Sequence, residues 1–325
     1  MLPSAAPPAV AVNVDRRDDT VRYSICTLVT RMDEYREMVA SFEAGGFAAP
    51  DCEYLYLDNT RSNAHEAYVG YNRFLQAARG EYVVLCHQDV ALLDDGRARL
   101  DAVLADLTRR DPHWGLCGNA GGVRKGEHAV RITDPSGPDQ WYGVLPAQVV
   151  SLDENFIVVR RSANLALSRE LRGYHLYGAE LCLVAEMLGH SAYVVDFHLL
   201  HKSVGAMDEH FHDLQRRMVQ RCEAAFRPRW ITTTCTEFFV SGSPVLNRLV
   251  YRRGGERLVN ALVRLRNAFA RRVVRARVAP GDRAALVPLP DAVVARAPRG
   301  GTPGGTPGGG PGDRPREPAA ASRLG

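Results

Sequence analysis

The chain has 325 residues, 46% of them apolar and 24% charged, with a formal charge of +4. That length allows one large core or a core with an appendage, and the composition is that of a soluble globular protein. So small a net charge makes no case for nucleic acid as a partner. The seven cysteines form no CxxC pair. Cys26, Cys86 and Cys117 lie inside apolar runs as small buried hydrophobes, so no disulfide framework is expected and a reducing compartment is. The Pro/Ala-rich start lacks the basic and apolar regions of a signal peptide, and no apolar run is long enough to span a bilayer. A cytoplasmic location is expected.

Residues 1–20 read as a flexible tail. Order is expected from Arg22 to Val29, a β-rich run. Thr30-Arg31-Met32-Asp33 leads from it into a short helix stopped by Gly45-Gly46. A second strand, Glu53 to Leu57, ends on Asp58-Asn59-Thr60. The next helix has Asn63 as N-cap with Glu66 three residues on, close to a capping box. Its apolar side repeats through Ala67, Tyr68, Tyr71, Phe74 and Ala78, and Gly80 stands at the C′ position. The third strand follows at once, Tyr82 to Cys86, and breaks off into His87-Gln88-Asp89. This β-α-β-α-β alternation predicts a doubly wound, mostly parallel sheet flanked by helices.

Further on, a helix is expected from Asp95 to Arg110 and a strand from Trp114 to Cys117. The segment 124–148, polar with scattered Pro and Gly, reads as a long surface loop or hairpin near the site. A strand over Phe156 to Val159 is followed by helices at 163–171 and 177–188, and a strand at Ala192 to Asp196 runs towards His201. Met207 to Ala225 reads as helix. These elements make one domain over 21–240. A basic helical extension over 241–285 carries Leu258, Leu262, Leu265, Phe269 and Val273 on one stripe, with Arg257, Arg264, Arg271 and Arg275 on another. Such a helix either packs on its own domain or lies on an anionic membrane surface. The Pro/Gly-rich 286–325 reads as disordered.

Chemistry is expected where strands end. Asp58, His87-Gln88-Asp89 and His201 all follow strands, and in a parallel sheet such ends lie along one edge. An Asp carboxylate with a neutral imidazole makes a Mn2+ or Mg2+ site when phosphate oxygens and water complete the shell. His198, His210 and His212 raise the question of zinc, but their spacing matches no structural zinc site. Gly118, Gly121 and Gly122 do not make a dinucleotide fingerprint.

From Cys26 to about Gly205 the chain resembles a family 2-type glycosyltransferase of the GT-A fold. The likeness lies in the order of several blocks. Asp58-Asn59 resembles the strand-end carboxylate placed on the nucleotide. Asn72 and Ala77-Ala78-Arg79-Gly80-Glu81-Tyr82 resemble the passage before the metal motif, and His87-Gln88-Asp89 stands in the place of Asp-x-Asp. Leu152 to Arg161 resembles the acceptor-side strand. Tyr177-Gly178-Ala179-Glu180 falls where the acidic base motif is expected, and His201 where a downstream metal ligand is expected.

The resemblance implies a metal-dependent, inverting transfer of sugar from a nucleotide-sugar donor to an acceptor hydroxyl, the acceptor being a glycan or lipid-linked glycan. Asp89 and His201 would bind Mn2+ or Mg2+, Thr30, Asp58, Asn72, His87 and Gln88 the nucleotide-sugar, and Glu180 would be the base. Two departures stand out: His87 replaces the first acid of the metal motif, and a single acid, Glu180, replaces the usual Glu-Asp pair. Asp153 and Glu154 are rival bases. Each assignment has a plainer counterpart. Asp89 could end a strand or cap a helix, His87 could be a hydrogen-bonded structural histidine, Asp58 could hold a turn, and Glu180 could serve its helix's positive end. A non-catalytic nucleotide- or glycan-binding module on the same fold is the alternative. A sugar nucleotidyltransferase is disfavoured, since no glycine-rich loop follows the first strand.

Overall fold

The structure is a computed structural model and describes residues 21–203, 209–252 and 254–277. The expected tails at 1–20 and 286–325 lie outside these residues. The chain divides into two compact units, Met1–Asn247 and Arg248–Gly325.

The first unit opens with β1 (Tyr23–Val29), α1 (Met32–Ala44), β2 (Cys52–Asp58), α2 (Ala67–Ala77) and β3 (Tyr82–Cys86). Next come β4 (Val90–Leu92), α3 (Arg97–Arg110), β5 (Trp114–Gly118), β6 (Ala120–Arg124), β7 (Glu127–Asp134) and β8 (Gly137–Tyr142). Two short strands, β9 (Ala147–Gln148) and β10 (Ser151–Leu152), precede β11 (Phe156–Arg160), α4 (Tyr177–Met187), β12 (Ser191–Val194) and β13 (Leu199–His201). The unit continues through α5 (Glu209–Ala225) to a hairpin of β14 (Arg229–Thr232) and β15 (Glu237–Val240). Helix α6 (Pro244–Val250) follows, and α7 (Gly255–Arg277) belongs to the second unit.

The main sheet has seven strands in the order β2-β1-β3-β11-β5-β12-β9. β2, β1 and β3 run parallel, as do β5 and β12, while β11 is inserted antiparallel between β3 and β5. The architecture is therefore the expected mixed α/β one. Alternation along β3 shows why both faces are buried. Val83 and Leu85 join a core with Tyr71 and Phe74 of α2 and Leu181 of α4. Tyr82, Val84 and Cys86 join a core on the other face with Met38 and Phe42 of α1 and Leu100 and Leu104 of α3.

A second sheet of five strands in line, β10-β6-β7-β13-β4, with β8 on β7, stands beside the first. The segment expected as loop or hairpin is the β7–β8 hairpin of this sheet. β13 belongs here too, antiparallel to β4 and parallel to β7. His201 thus does not lie on a main-sheet edge, as a purely parallel reading expects.

Three local expectations change. α2 begins at Ala67 with Glu66 as N-cap, and Asn63 lies outside it. Gly80 is not a helix cap, since α2 ends on an extended Ala78. It is required because a Cβ there would lie 2.6 Å from the Ser24 backbone nitrogen. The helix expected at 163–171 is a short 3₁₀ turn followed by irregular chain. Asn164 adopts a left-handed conformation there, and Asn72 grips the backbone of Leu167 on both sides (2.8 and 2.9 Å). These side-chain bonds replace the helical ladder.

α7 forms over the expected basic stretch, with Leu258, Leu262 and Leu265 exposed. The side chains of Phe269, Arg271, Val273 and Arg275 lie outside the described ones. Among the described residues no helix is long and apolar enough to cross a membrane.

Gly80→Ala should lower the unfolding free energy by about 1–3 kcal/mol, the usual cost of overpacking, as read from urea denaturation. A variant of wild-type stability would remove the close approach of Gly80 to β1.

Candidate metal centre and its cavity

β3 leaves the main sheet at Cys86 and β4 enters the second sheet at Val90, so His87-Gln88-Asp89 is the joint between them. The joint is fixed from both sides. His87 N–H donates to Asn155 O at the entrance to β11 (3.0 Å), and Lys202 N–H donates to Asp89 O just past β13 (3.0 Å). Pairing of His201 with Val90 then brings its ring beside Asp89, Nε2 to Oδ1 at 3.4 Å. One ligand atom each from His87, Asp89 and His201 lie within 4.8 Å of one another.

The three side chains also settle their protonation. Burial opposes the charge on Asp89, but hydrogen bonds from His201 and Ser203 outweigh it and hold the carboxyl well below its ordinary range. Burial likewise opposes a charged His201, and the bond to Asp89 wins, so its pKa is raised. His87 is pushed down by burial and then by His201.

The tautomer of His87 follows from proton counting. Tyr177 has one hydroxyl proton and donates it to Glu154 O (2.8 Å). In its contact with His87 Nε2 (2.9 Å) the tyrosine oxygen must therefore accept, and the ring carries its proton on Nε2. Tyr71 likewise donates to Tyr177 (3.2 Å). His87 is left with the Nδ1 lone pair free to ligate, held by an outer partner as metal-binding histidines usually are.

This set fits a divalent cation. Ligand atoms on opposite sides of an ion bound at ~2.1 Å lie about 4.2 Å apart, a contraction of a few tenths of an ångström from the observed spread. Two imidazoles and one carboxylate favour a transition cation such as Mn2+ over Mg2+, which prefers oxygen ligands. His198 stands apart, bonded through Nε2 to Thr133 Oγ1 (2.9 Å).

The centre lines a cavity of about 710 Å3. Asp153 and Glu154 line it too, because antiparallel β11 starts where β3 ends, with Phe156 opposite Cys86. Asp153 is exposed, and its Oδ1 accepts from the backbone and side-chain nitrogens of Asn155. Glu154 Oε1 accepts from Gly178 N–H at the start of α4 (3.3 Å). Burial, then the Asp153 charge, push the Glu154 carboxyl up to about 8 against the pull of the backbone N–H groups of Gly178, Tyr177 and Leu176.

Gln88 points away from the metal group. Its Oε1 accepts from the N–H groups of Thr30 and Arg31 (2.8 and 2.9 Å), and its Nε2 donates to Thr30 Oγ1 and Glu34. Thr30 and Gln88 therefore form one wall of the cavity.

The other sequence candidates lie elsewhere. Asp58 is opposite Val29 at the end of β2, outside the cavity lining, and hydrogen bonds from the Thr60 hydroxyl and N–H lower its pKa. Asn72 lines a separate cavity of about 560 Å3. Glu180, fully buried, is not among the lining residues of the metal cavity. It accepts from Ser168 N–H and hydroxyl and pairs with Arg221 at 3.2 Å, so its lone pairs are occupied in the interior. The sequence reading gave no role to Tyr177 or Tyr71. Leu176, in a left-handed conformation (φ 63°) at the start of α4, immediately precedes Tyr177, and no sequence pattern marks that turn.

The chain belongs to the same family as the protein named ATP synthase subunits region ORF 6 of Fuscovulum blasticum. The two are 38% identical over 221 residues, spanning 66% of this chain and 89% of that one. That name states no activity. No protein-family model matches the chain. Among solved structures, TarS of S. aureus in complex with UDP-GlcNAc aligns at a TM-score of 0.43 and 11% identity, over 62% of this chain and 67% of that one. The mannosyltransferase PcManGT of Pyrobaculum calidifontis, in complex with GDP-Man and Mn2+, aligns at 0.38 and 14%, over 63% of each. Likenesses this faint carry no argument about activity.

Three outcomes follow from the charge and proton states. Asp89 raises the His201 pKa and a ligating imidazole must be neutral, so Mn2+ affinity should rise with pH and level off above that raised pKa, with proton uptake by buffer visible in calorimetry below it. Tyr177→Phe, which removes the acceptor for His87 Nε2–H, should weaken Mn2+ about 10–100-fold; unchanged affinity would refute the assigned tautomer. Glu154→Gln tests the raised carboxyl pKa. A carboxyl whose folded pKa lies above its unfolded value keeps its stability below about 4.5 and loses it as pH rises through about 8. The melting temperature of Glu154→Gln relative to wild type should therefore climb between pH 5 and 8 and stay level above that.

Proposed function

We propose that this chain is a metal-dependent glycosyltransferase, moving a sugar from a nucleotide-sugar donor to an acceptor hydroxyl with inversion. The observation that carries the reading is the His87–Asp89–His201 group at one cavity with the acid pair Asp153 and Glu154. A cation held there would neutralise charge building on a diphosphate leaving group. The block order of a family 2-type enzyme supports the same reading.

The chain's own residues divide the work. Asp89, His201 and the Nδ1 of His87 make the cation site, and Tyr177 holds the His87 ring. Thr30 and Gln88 frame the side of the cavity next to β1, where the nucleotide would lie, with Asp58 further along the same edge. The acceptor oxygen forms its bond to the anomeric carbon as the bond to the diphosphate breaks, and that electron pair leaves with the diphosphate. The acceptor's proton goes to Asp153, whose Oδ1 is occupied by Asn155 while Oδ2 has no hydrogen bond among the described residues. Burial, with the Asp153 charge second, holds the neighbouring Glu154 carboxyl up at about 8. Glu180, spent on Ser168 and Arg221, keeps a structural role in this scheme. Most of the rate enhancement would come from positioning and from charge stabilisation on the leaving group.

A thermal-shift screen of nucleoside diphosphates and nucleotide-sugars, with and without Mn2+, tests the reading. At least one nucleotide should raise the melting temperature when Mn2+ is present, and Asp89→Ala should abolish that shift. Asp153→Asn should retain nucleotide binding and lose at least 100-fold in kcat, the lower range for a general base. Mn2+-independent binding, or none, would refute the metal-nucleotide reading. Binding without turnover across the panel would make the protein a binding module instead.

A further inference from the structure

Beside the metal cavity lies a second one of about 390 Å3, within the ~300–1,000 Å3 range of small-molecule sites. Tyr174 and His175 line both cavities, so they form a common wall. The second cavity is closed from the other side by one face of α5: His210, Asp213, Leu214 and Arg217 recur at helical spacing. Leu214 is buried and belongs to the core, which anchors that face. Glu66, the N-cap of α2, Arg172 and Gly173 complete the lining.

Two of the charged groups here, Glu66 and Arg172, are not spent on the others. Glu66 Oε2 is shielded from water and has no hydrogen-bond partner among the described residues, a costly state unless a donor reaches it. Arg172 makes no hydrogen bond or ion pair among the described residues, and its guanidinium offers five donors. Arg217, by contrast, is matched by Asp213 (2.7 Å). An anion would meet two carboxylates in this cavity. A neutral ligand carrying hydroxyl groups would meet both acceptor and donor partners, since each hydroxyl donates once and accepts twice. Tyr174, 37% exposed and tethered through its hydroxyl to His65 O, presents an aromatic surface on the common wall.

We infer that this cavity is a sugar-binding subsite for the acceptor, taking a neutral pyranose through Glu66 and Arg172. The acceptor role rests on the transferase reading above, whereas the capacity to bind a sugar does not. An acceptor glycan longer than one residue would then occupy both cavities across the Tyr174–His175 wall, and Asp153 would face only its reactive end.

The test uses the full chain and the methyl glycosides of glucose, galactose, mannose and N-acetylglucosamine as probes, followed by saturation-transfer NMR and calorimetry. At least one glycoside should bind. Glu66→Gln and Arg172→Ala should each weaken it tenfold or more, with melting curves showing that both variants fold and Arg172→Lys recovering part of the loss. Binding of nucleoside diphosphate with Mn2+, measured on the same variants, should stay within twofold of wild type. The inference falls if no glycoside binds the wild-type chain, if both variants bind as wild type does, or if inorganic phosphate displaces the glycoside at lower concentration than free sugar does. A chain that binds glycoside but no nucleotide would keep the subsite and sink the transferase reading.

Discussion

The site depends on a single hydrogen-bonded crossing. Chain that has been a central, fully buried strand of one sheet turns through three residues and becomes an edge strand of another. The Lys202–Asp89 backbone bond and the β4–β13 pairing hold that second strand in register. Without them Asp89 would be an acid on a free turn and His201 would have no reason to meet it. With them, a carboxylate and an imidazole from positions more than a hundred residues apart come within 3.4 Å, and each shifts the other's pKa.

The second constraint is the direction of one strand. Sheets that run one way bring only strand ends to their ligand-binding edge. β11 runs the other way, so its beginning arrives at that edge and carries Asp153, Glu154 and Asn155 with it. From there, backbone groups of Glu154 and Asn155 reach Tyr177 and His87. The acids, the phenol and the His87 ring are thus one hydrogen-bonded body, and the lowered pKa of His87 and the raised pKa of Glu154 belong to it together.

Much of this was legible in the sequence, and the reasons are local. The first three strands and the helices between them show in apolar periodicity, because β3 is buried on both faces and α2 packs a continuous stripe. Asp89 and His201 are expected together because both follow strands and because the glycosyltransferase resemblance pairs them, although β13 lies in the second sheet and not on the main-sheet edge. Three things could not be read. Strand direction leaves no trace in Phe156 to Arg160, whose apolar run serves parallel and antiparallel pairing alike. A second sheet built from short strands looks like loop, since β4 and β13 have only three residues each. Asn72 and Glu180 are polar residues whose partners, Leu167, Ser168 and Arg221, lie far along the chain, so local pattern could not show that their hydrogen bonds were already committed.

Gln88 sits between two residues that face the cation group, yet its amide is turned to the exit of β1. Three consecutive residues thus serve two separate tasks, with the outer pair shaping the charge of the pocket and the middle one setting the position of its opposite rim. A substitution at residue 88 or its partners would therefore reshape that rim while leaving the His87–Asp89–His201 group on its other side untouched. A motif that reads as one unit in the sequence is, in space, two independently adjustable parts.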